Sequence, residues 1–214
     1  MPYKNLSLPK LANRPFFYTS FAQTIDGKVY INKKGYWPIA SKTDYETFTY
    51  LRSYADVIID GKNTAIRFAK YTIDTIHSDE FKKLREKNGK VGTPKYLVLT
   101  KHPDETLTKI LENPYEYNPT IFQKEISELV EYLKGKNAKA VFVDGGPHVI
   151  ASLLRAKLLD EFFITISPRI FGNTENLAIT MVEGLLLEPD EVKLELLSTE
   201  IVENELYLRY KVIY

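Results

Sequence analysis

Two kinds of apolar pattern alternate along this chain. Short runs rich in β-branched and aromatic residues predict buried strands, and they fall at 15–22 (PFFYTSFA), 29–31, 56–60 (DVIID), 95–100 (KYLVLT), 120–122, 140–143 and 162–166. Between them, apolar residues recur every three or four positions, as one face of a helix requires. Tyr45, Phe48 and Leu51 mark one helix, and Gly61-Lys62-Asn63-Thr64 leads into a short second one. Leu107, Ile110 and Leu111 mark another, stopped by Asn113-Pro114. Ile126, Leu129, Val130 and Leu133 mark the next, with Gly135 as its expected end, and Ile150, Leu153 and Leu154 mark a helix over 147–156. The charged stretch 81–91 reads as solvated helix and loop, and 1–14, polar with two prolines, as an arm rather than core.

After residue 172 the period changes to two. Val192, Leu194 and Leu196 alternate with Lys193 and Glu195; Leu206, Leu208, Tyr210 and Val212 alternate with Tyr207, Arg209 and Lys211. Around Glu203-Asn204 these runs predict an antiparallel hairpin with one wet face. The fold class is α/β: a central, mostly parallel sheet flanked by helices and finished by an antiparallel C-terminal hairpin. At 214 residues, 1–214 is expected to be a single domain with 1–14 as its arm.

The candidate chemistry sits where strands end. After 140–143 the chain reads Asp144-Gly145-Gly146-Pro147, and after 56–60 it reads Gly61-Lys62-Asn63-Thr64. Each is a strand, a glycine turn and a helix start, where free backbone N–H groups can hold a phosphate. Two such turns at carboxyl ends of one open sheet predict a dinucleotide site, although neither matches Gly-x-Gly-x-x-Gly. Asp26-Gly27 between apolar runs is a turn signal in its own right. Ser41 with Asp44 three residues on is close to a capping box.

Composition removes several classes of function. The formal net charge of +1 gives no electrostatic reason for nucleic-acid or membrane binding. There is no Cys, so disulfides, thiolate metal sites and Cys nucleophiles are excluded. His77, His102 and His148 have no ligand spacing, read as surface or loop residues, and predict no metal. With no apolar run long enough to span a bilayer and no leader pattern at the start, a cytoplasmic protein is expected.

The wording from Val143 to Gly172 carries more than a turn. Val-Asp-Gly-Gly-Pro, Ser-Leu-Leu-Arg-Ala, Leu-Asp-Glu and Ile-Ser-Pro-Arg-Ile-Phe-Gly resemble the reductase domain of riboflavin biosynthesis, the C-terminal half of the bifunctional deaminase-reductase and its stand-alone relatives. FAQTIDGKVYI resembles the signature after that family's first strand, and Gly61-Lys62-Asn63-Thr64 resembles the Gly-basic-x-Thr turn of dihydrofolate reductases. The resemblance covers roughly residues 14–172. It implies the dihydrofolate-reductase-like fold, NADPH as cofactor, a homodimer, and a pyrimidine ribotide as small-molecule substrate. In that family, hydride passes from the nicotinamide C4 to C1′ of 5-amino-6-(5-phosphoribosylamino)uracil or its diamino analogue, converting ribosyl to ribityl.

Carried over by position, the cofactor contacts are Ala22, Gly61, Lys62, Thr64, Thr100, Lys101 and the loop Gly145, Gly146, Pro147, His148, Val149 and Ile150. Thr100 and Lys101 would meet the adenosine 2′-phosphate. Arg52, Ser41 and Asp144 are the substrate contacts, and Asp144 and Asp26 the catalytic candidates. Each keeps a plainer alternative: Asp26 as turn former, Asp144 as a strand-end residue tying down its loop, Lys62 and Lys101 as solvated lysines. The chain departs from the family at Ser20, where Lys is frequent; at Tyr36-Trp37-Pro38, which displaces the Trp; and at Ile66-Arg67-Phe68-Ala69-Lys70, in place of Asp-Asp-Pro and Leu-Thr-Val-Arg. Asp144 also stands where Glu is usual. The cofactor half is therefore kept better than the substrate half. Two rivals remain: a dihydrofolate-type reductase with Asp44 as its carboxylate, and a nucleotide-binding protein without catalysis. A deaminase is excluded, because the His/Cys zinc signature is missing.

Overall fold

The computed structural model describes residues 1–4, 6–35, 37–188 and 191–214. Tyr36, part of the displaced Trp motif, lies outside them. In chain order the elements are β1 (Phe16–Thr24), β2 (Tyr30–Ile31), α1 (Lys42–Ser53), β3 (Val57–Gly61), α2 (Lys62–His77), α3 (Asp79–Lys87), β4 (Lys95–Leu99), α4 (Glu105–Leu111) and β5 (Thr120–Phe122). A single 3₁₀ turn, Ile126–Glu128, then opens α5 (Leu129–Gly135). The rest is β6 (Ala140–Gly145), α6 (Pro147–Arg155), β7 (Glu161–Ser167), β8 (Ala178–Ile179), β9 (Lys193–Val202) and β10 (Glu205–Ile213).

Eight strands form one sheet in the order β5-β4-β3-β6-β1-β7-β10-β9, while β2 and β8 pair separately. From β5 to β7 every pairing is parallel; β7-β10 and β10-β9 are antiparallel. The parallel strands are apolar on both faces because both faces are covered. Tyr18, Ile58, Tyr96 and Phe142 point toward α1 to α4, and Phe17, Ile59, Leu97 and Val143 toward α5 and α6. Neighbouring residues of one strand thus feed two separate cores.

Three expectations change. The helix after Gly61 is long, 16 residues, because Ala65, Ala69, Ile73 and Ile76 continue one buried stripe beyond the first turn. In the charged stretch, Phe81 is buried and Arg85 reaches back under α3 to donate to the carbonyls of Ser53, Ala55 and Gly92. Residues 1–14 are no free arm: Tyr3 and Leu6 are core residues, Tyr3 packing edge-on against Phe163 at 5.0 Å and donating its N–H to the Glu200 carboxylate. The hairpin also differs from a strand pair with one wholly polar face. Leu194, Leu196, Leu197 and Ile201 of the edge strand β9 remain exposed.

The order of strands sets the position of the cleft. The chain runs from β1 outward through β3, β4 and β5, then returns to insert β6 between β3 and β1 before β7 joins on the other side. Connections diverge at that point, which leaves a crevice at the carboxyl ends of the central strands.

Candidate active site

That crevice is a cleft of about 1370 Å³, lined from β1, the β2 ribbon, α1, α2 and the ends of β3, β4 and β6. Pockets for drug-sized ligands run from a few hundred to about 1,000 Å³. The cleft therefore has room for a dinucleotide and a second molecule together.

One side of it is made by the two strand–glycine–helix turns, which lock into each other. A Cβ on Gly61 would lie 2.9 Å from Val149 Cγ2 and 3.5 Å from the Gly146 nitrogen. A Cβ on Gly146 would lie 2.8 Å from Thr64 Oγ1. A side chain at 146 would thus meet the Thr64 hydroxyl on α2, so substitution there disturbs that contact as well as ligand access. Gly145 adds a positive φ of 153°. Neither α2 nor α6 has a side-chain cap, so the N–H groups at both helix starts are not taken by a capping side chain. Two uncapped positive helix ends meeting across a glycine cradle fit a pyrophosphate.

The floor carries buried charge. Arg52 of α1 pairs with Asp144 at the end of β6, their side chains only 3% and 7% exposed. The same guanidinium donates to Thr72 Oγ1 at 3.1 Å and lies 4.3 Å from the Phe48 ring centre, while its Nε and Nη1 have no hydrogen-bond partner among the described residues. Beneath it Asp60 accepts from the Tyr96 hydroxyl at 2.5 Å, and its second oxygen is unpartnered. Burial pushes the Asp60 carboxyl up to about 6, and lowers Arg52 to about 10 although Asp60 opposes that shift. Arg52 lines the cleft and is paired there with Asp144.

The rim opposite is carboxylate-rich. Ser41 caps α1, accepting from the Asp44 N–H at 3.3 Å, but the expected capping box does not close. The Ser41 N–H and hydroxyl both go instead to Glu205 of β10, which also accepts from the Tyr207 hydroxyl at 2.6 Å. Asp44 is left facing the cleft. Burial, with Glu205 nearby, raises its carboxyl to about 6, against the lowering effect of a hydrogen bond from Thr165.

Thirteen of the sixteen expected site residues line this one cleft: Ala22, Ser41, Arg52, Gly61, Lys62, Thr64, Thr100, Asp144, Gly145, Gly146, Pro147, His148 and Val149. Three do not. Asp26 accepts from Thr24, Phe171 and Gly172, tying the β1–β2 turn to the segment after β7, as a turn former would. Lys101 points away to Glu125. Ile150 is wholly buried on the core side of α6, since it sits one position past the turn that faces the cleft. Lys62 lines the cleft but already pairs with Asp104 at 2.5 Å and donates to the His102 carbonyl. Tyr30, Lys33, Arg67, Phe68, His102 and Glu183 line the cleft without having been expected. Arg67 had a signal, because three residues after Thr64 it shares that helix face.

Comparison with known proteins agrees with this geometry. A family model described as the RibD C-terminal domain matches residues 15–208. The chain is 25% identical over 197 residues to the 2,5-diamino-6-ribosylamino-4(3H)-pyrimidinone 5′-phosphate reductase of Archaeoglobus fulgidus, covering 81% of this chain and 89% of that one. Its fold is like that of a pyrimidine reductase-like protein from Corynebacterium diphtheriae (TM-score 0.68, 20% identity, 94% and 93% coverage). It is also like that of dihydrofolate reductase from Enterococcus faecalis (TM-score 0.52, 15% identity, 92% and 96% coverage). With the dihydrofolate-reductase-like architecture and a match over most of its length, the chain belongs to the RibD C-terminal domain family, the reductases of riboflavin biosynthesis.

Proposed function

We propose that this protein is an NADPH-dependent reductase that converts the ribosyl group of 2,5-diamino-6-ribosylamino-4(3H)-pyrimidinone 5′-phosphate, or its amino-uracil counterpart, to ribityl. The observation that carries the reading is the pair of interlocked, uncapped helix starts at Gly61 and Gly146, opening onto a cleft of about 1370 Å³. The loop from Gly145 to Val149 would hold the pyrophosphate, Ala22 and Thr64 would flank the nicotinamide side, and Lys62 with Thr100 would meet the adenosine 2′-phosphate. When bound, the reduced nicotinamide supplies the hydride. Asp144, held by Arg52, places a carboxylate at the end of β6, where it orients the ribosylamino group and stabilises the cationic imine that accepts the hydride.

The family resemblance supports a homodimer, and the exposed Leu194, Leu196 and Ile201 on the edge strand β9 give a second copy an apolar strand to cover. Sedimentation of the protein and of a Leu196→Lys variant checks that: a monomer in both overturns it. No helix among the described residues is long and apolar enough to cross a membrane, and a cytoplasmic location is part of the proposal. The main test is NADPH oxidation assayed in parallel with the pyrimidine ribotide and with dihydrofolate. Turnover of the ribotide supports the proposal. Turnover of dihydrofolate alone favours the second reading, for which Asp44 in the cleft speaks. Tight NADPH binding with no turnover of either leaves a binding protein.

A further inference from the structure

A phosphate monoester carries between one and two negative charges at neutral pH and three acceptor oxygens. A cation with no carboxylate partner can take one at the least cost. Of the cations lining this cleft, Arg52 is buried against Asp144, while Lys62 would have to release Asp104 and Lys42 to release Glu46. Lys33 and Arg67 have no carboxylate partner among the described residues.

Arg67 is also held in place. Its Nη2 donates to Asn32 Oδ1 at 3.0 Å, and its guanidinium lies 4.7 Å from the ring centre of Tyr30, which meets Phe68 edge-on at 6.4 Å. One of five N–H donors is used by this contact, leaving a planar fork of the kind that grips phosphate through two parallel bonds. Lys33, next to Asn32 in the chain, rests over the Trp37 ring at 5.5 Å. Along α2, Arg67 stands about 4.5 Å beyond Thr64 at the usual rise per residue, so it sits past the cofactor turn and on the same face.

We infer that Arg67, seconded by Lys33, is the anchor for the 5′-phosphate of the substrate, separate from the turns that take the cofactor's phosphates. The inference rests on the pyrimidine ribotide reading, which it deepens, and it makes Arg67 a specificity-determining residue. A phosphorylated ribosyl group should be preferred over the free one through binding, with little change in the rate of the bound complex.

The test is calorimetric titration with ribose 5-phosphate and with ribose, in saturating NADP⁺ so that the helix-start sites are filled. The unmodified protein should prefer ribose 5-phosphate. Arg67→Ala should weaken ribose 5-phosphate by about 10-fold or more, the loss expected for hydrogen bonds to a charged group, while leaving ribose unchanged. Lys33→Ala should weaken it less. Arg67 is exposed, so folding should survive; Arg67→Gln, which can keep the Asn32 contact, repeats the test if it does not. No preference for ribose 5-phosphate in the unmodified protein, or an unchanged preference in both Arg67 variants, overturns the inference. Parallel NADPH oxidation with the pyrimidine ribotide separates the two claims. A phosphate preference that depends on Arg67, without turnover, sinks the substrate reading and keeps the anchor.

Discussion

The floor of the cleft and the side proposed for the adenosine both carry ion pairs, yet the two are built differently. On the floor, Arg52 and Asp144 are almost wholly buried, and Asp60 with Tyr96 sits beneath them without solvent. On the adenosine side, Lys62 and Asp104 are 27% and 47% exposed, and Lys101 with Glu125 is more exposed still. A buried charge cannot leave its partner without a large desolvation penalty, so the floor is a fixed part of the protein. An exposed pair is worth little, so Lys62 can exchange Asp104 for a ligand phosphate at small cost. Burial, more than the identity of the charges, decides which pair positions and which pair binds.

The largest effect should come from breaking the floor. Arg52→Ala leaves Asp144 buried without a partner and deprives Asp60 of its nearby positive charge; unfolding in denaturant should show a loss of about 3–5 kcal/mol. Arg52→Met with Asp144→Leu removes both charges, and should recover to within about 1 kcal/mol of the original stability while remaining inactive. A double variant as unstable as Arg52→Ala would show that the pair is not the unit. Asp144→Asn keeps the shape and should lower turnover by roughly 10²–10³. Because Arg52 then lies buried with a neutral partner, stability should fall with it.

This contrast was only partly readable from the sequence. Strands, helices and both glycine turns follow from local pattern, since a buried apolar run and a strand–glycine–helix start need no distant partner to be recognised. Position makes Arg52 a candidate site residue, but nothing local says that Asp144, far along the chain, will pair with it. Asp26 is the mirror case. Its Asp-Gly turn was visible, and the backbone N–H groups of Phe171 and Gly172 that claim its carboxylate were not. Lys101 follows its strand end as expected, but turns to Glu125 on a neighbouring segment. Residues whose role depends on long-range pairing are the ones that local pattern leaves undecided.

Asp44 offers an intermediate case, partly buried at the rim. Its folded carboxyl titrates at about 6 against 3.8 for the ordinary value, chiefly through burial. A raised value means the folded state holds the proton more tightly. The associated stability is fully present below about pH 4 and is lost as pH rises through about 6. Two units correspond to about 3 kcal/mol at most, and partial exposure brings the expected loss to about 1–2 kcal/mol. Asp44→Asn should accordingly be more stable than the original at pH 8 by that amount and equal to it near pH 3.5. Parallel stability curves from pH 3.5 to 8 would mean that Asp44 is solvated like a surface carboxylate, and that the rim belongs with the exposed side.

The smallest effects are expected on the adenosine side, and there the contrast between Lys62 and Lys101 is the sharpest test. Lys62 lines the cleft and Lys101 does not. Replacing either with Ala should change stability by less than about 1 kcal/mol, as for exposed pairs generally. Binding should separate them. Lys62→Ala should weaken NADPH by about 1–2 kcal/mol, a charge-assisted bond less the pair with Asp104 that must be given up, and should leave NADH nearly unchanged because only NADPH has the 2′-phosphate. Lys101→Ala should do neither. Asp104→Asn provides the opposite sign: Asn still caps α4 through the Leu107 N–H, now 2.9 Å from the Asp104 carboxylate, but competes less well for Lys62. NADPH affinity should then rise a few-fold, within the 0–1 kcal/mol worth of an exposed pair, with NADH again unmoved. If Lys101→Ala costs as much NADPH affinity as Lys62→Ala, the 2′-phosphate site extends past the cleft. If Asp104→Asn weakens NADPH, the pair is holding the site together, and exposure alone does not make a charge exchangeable.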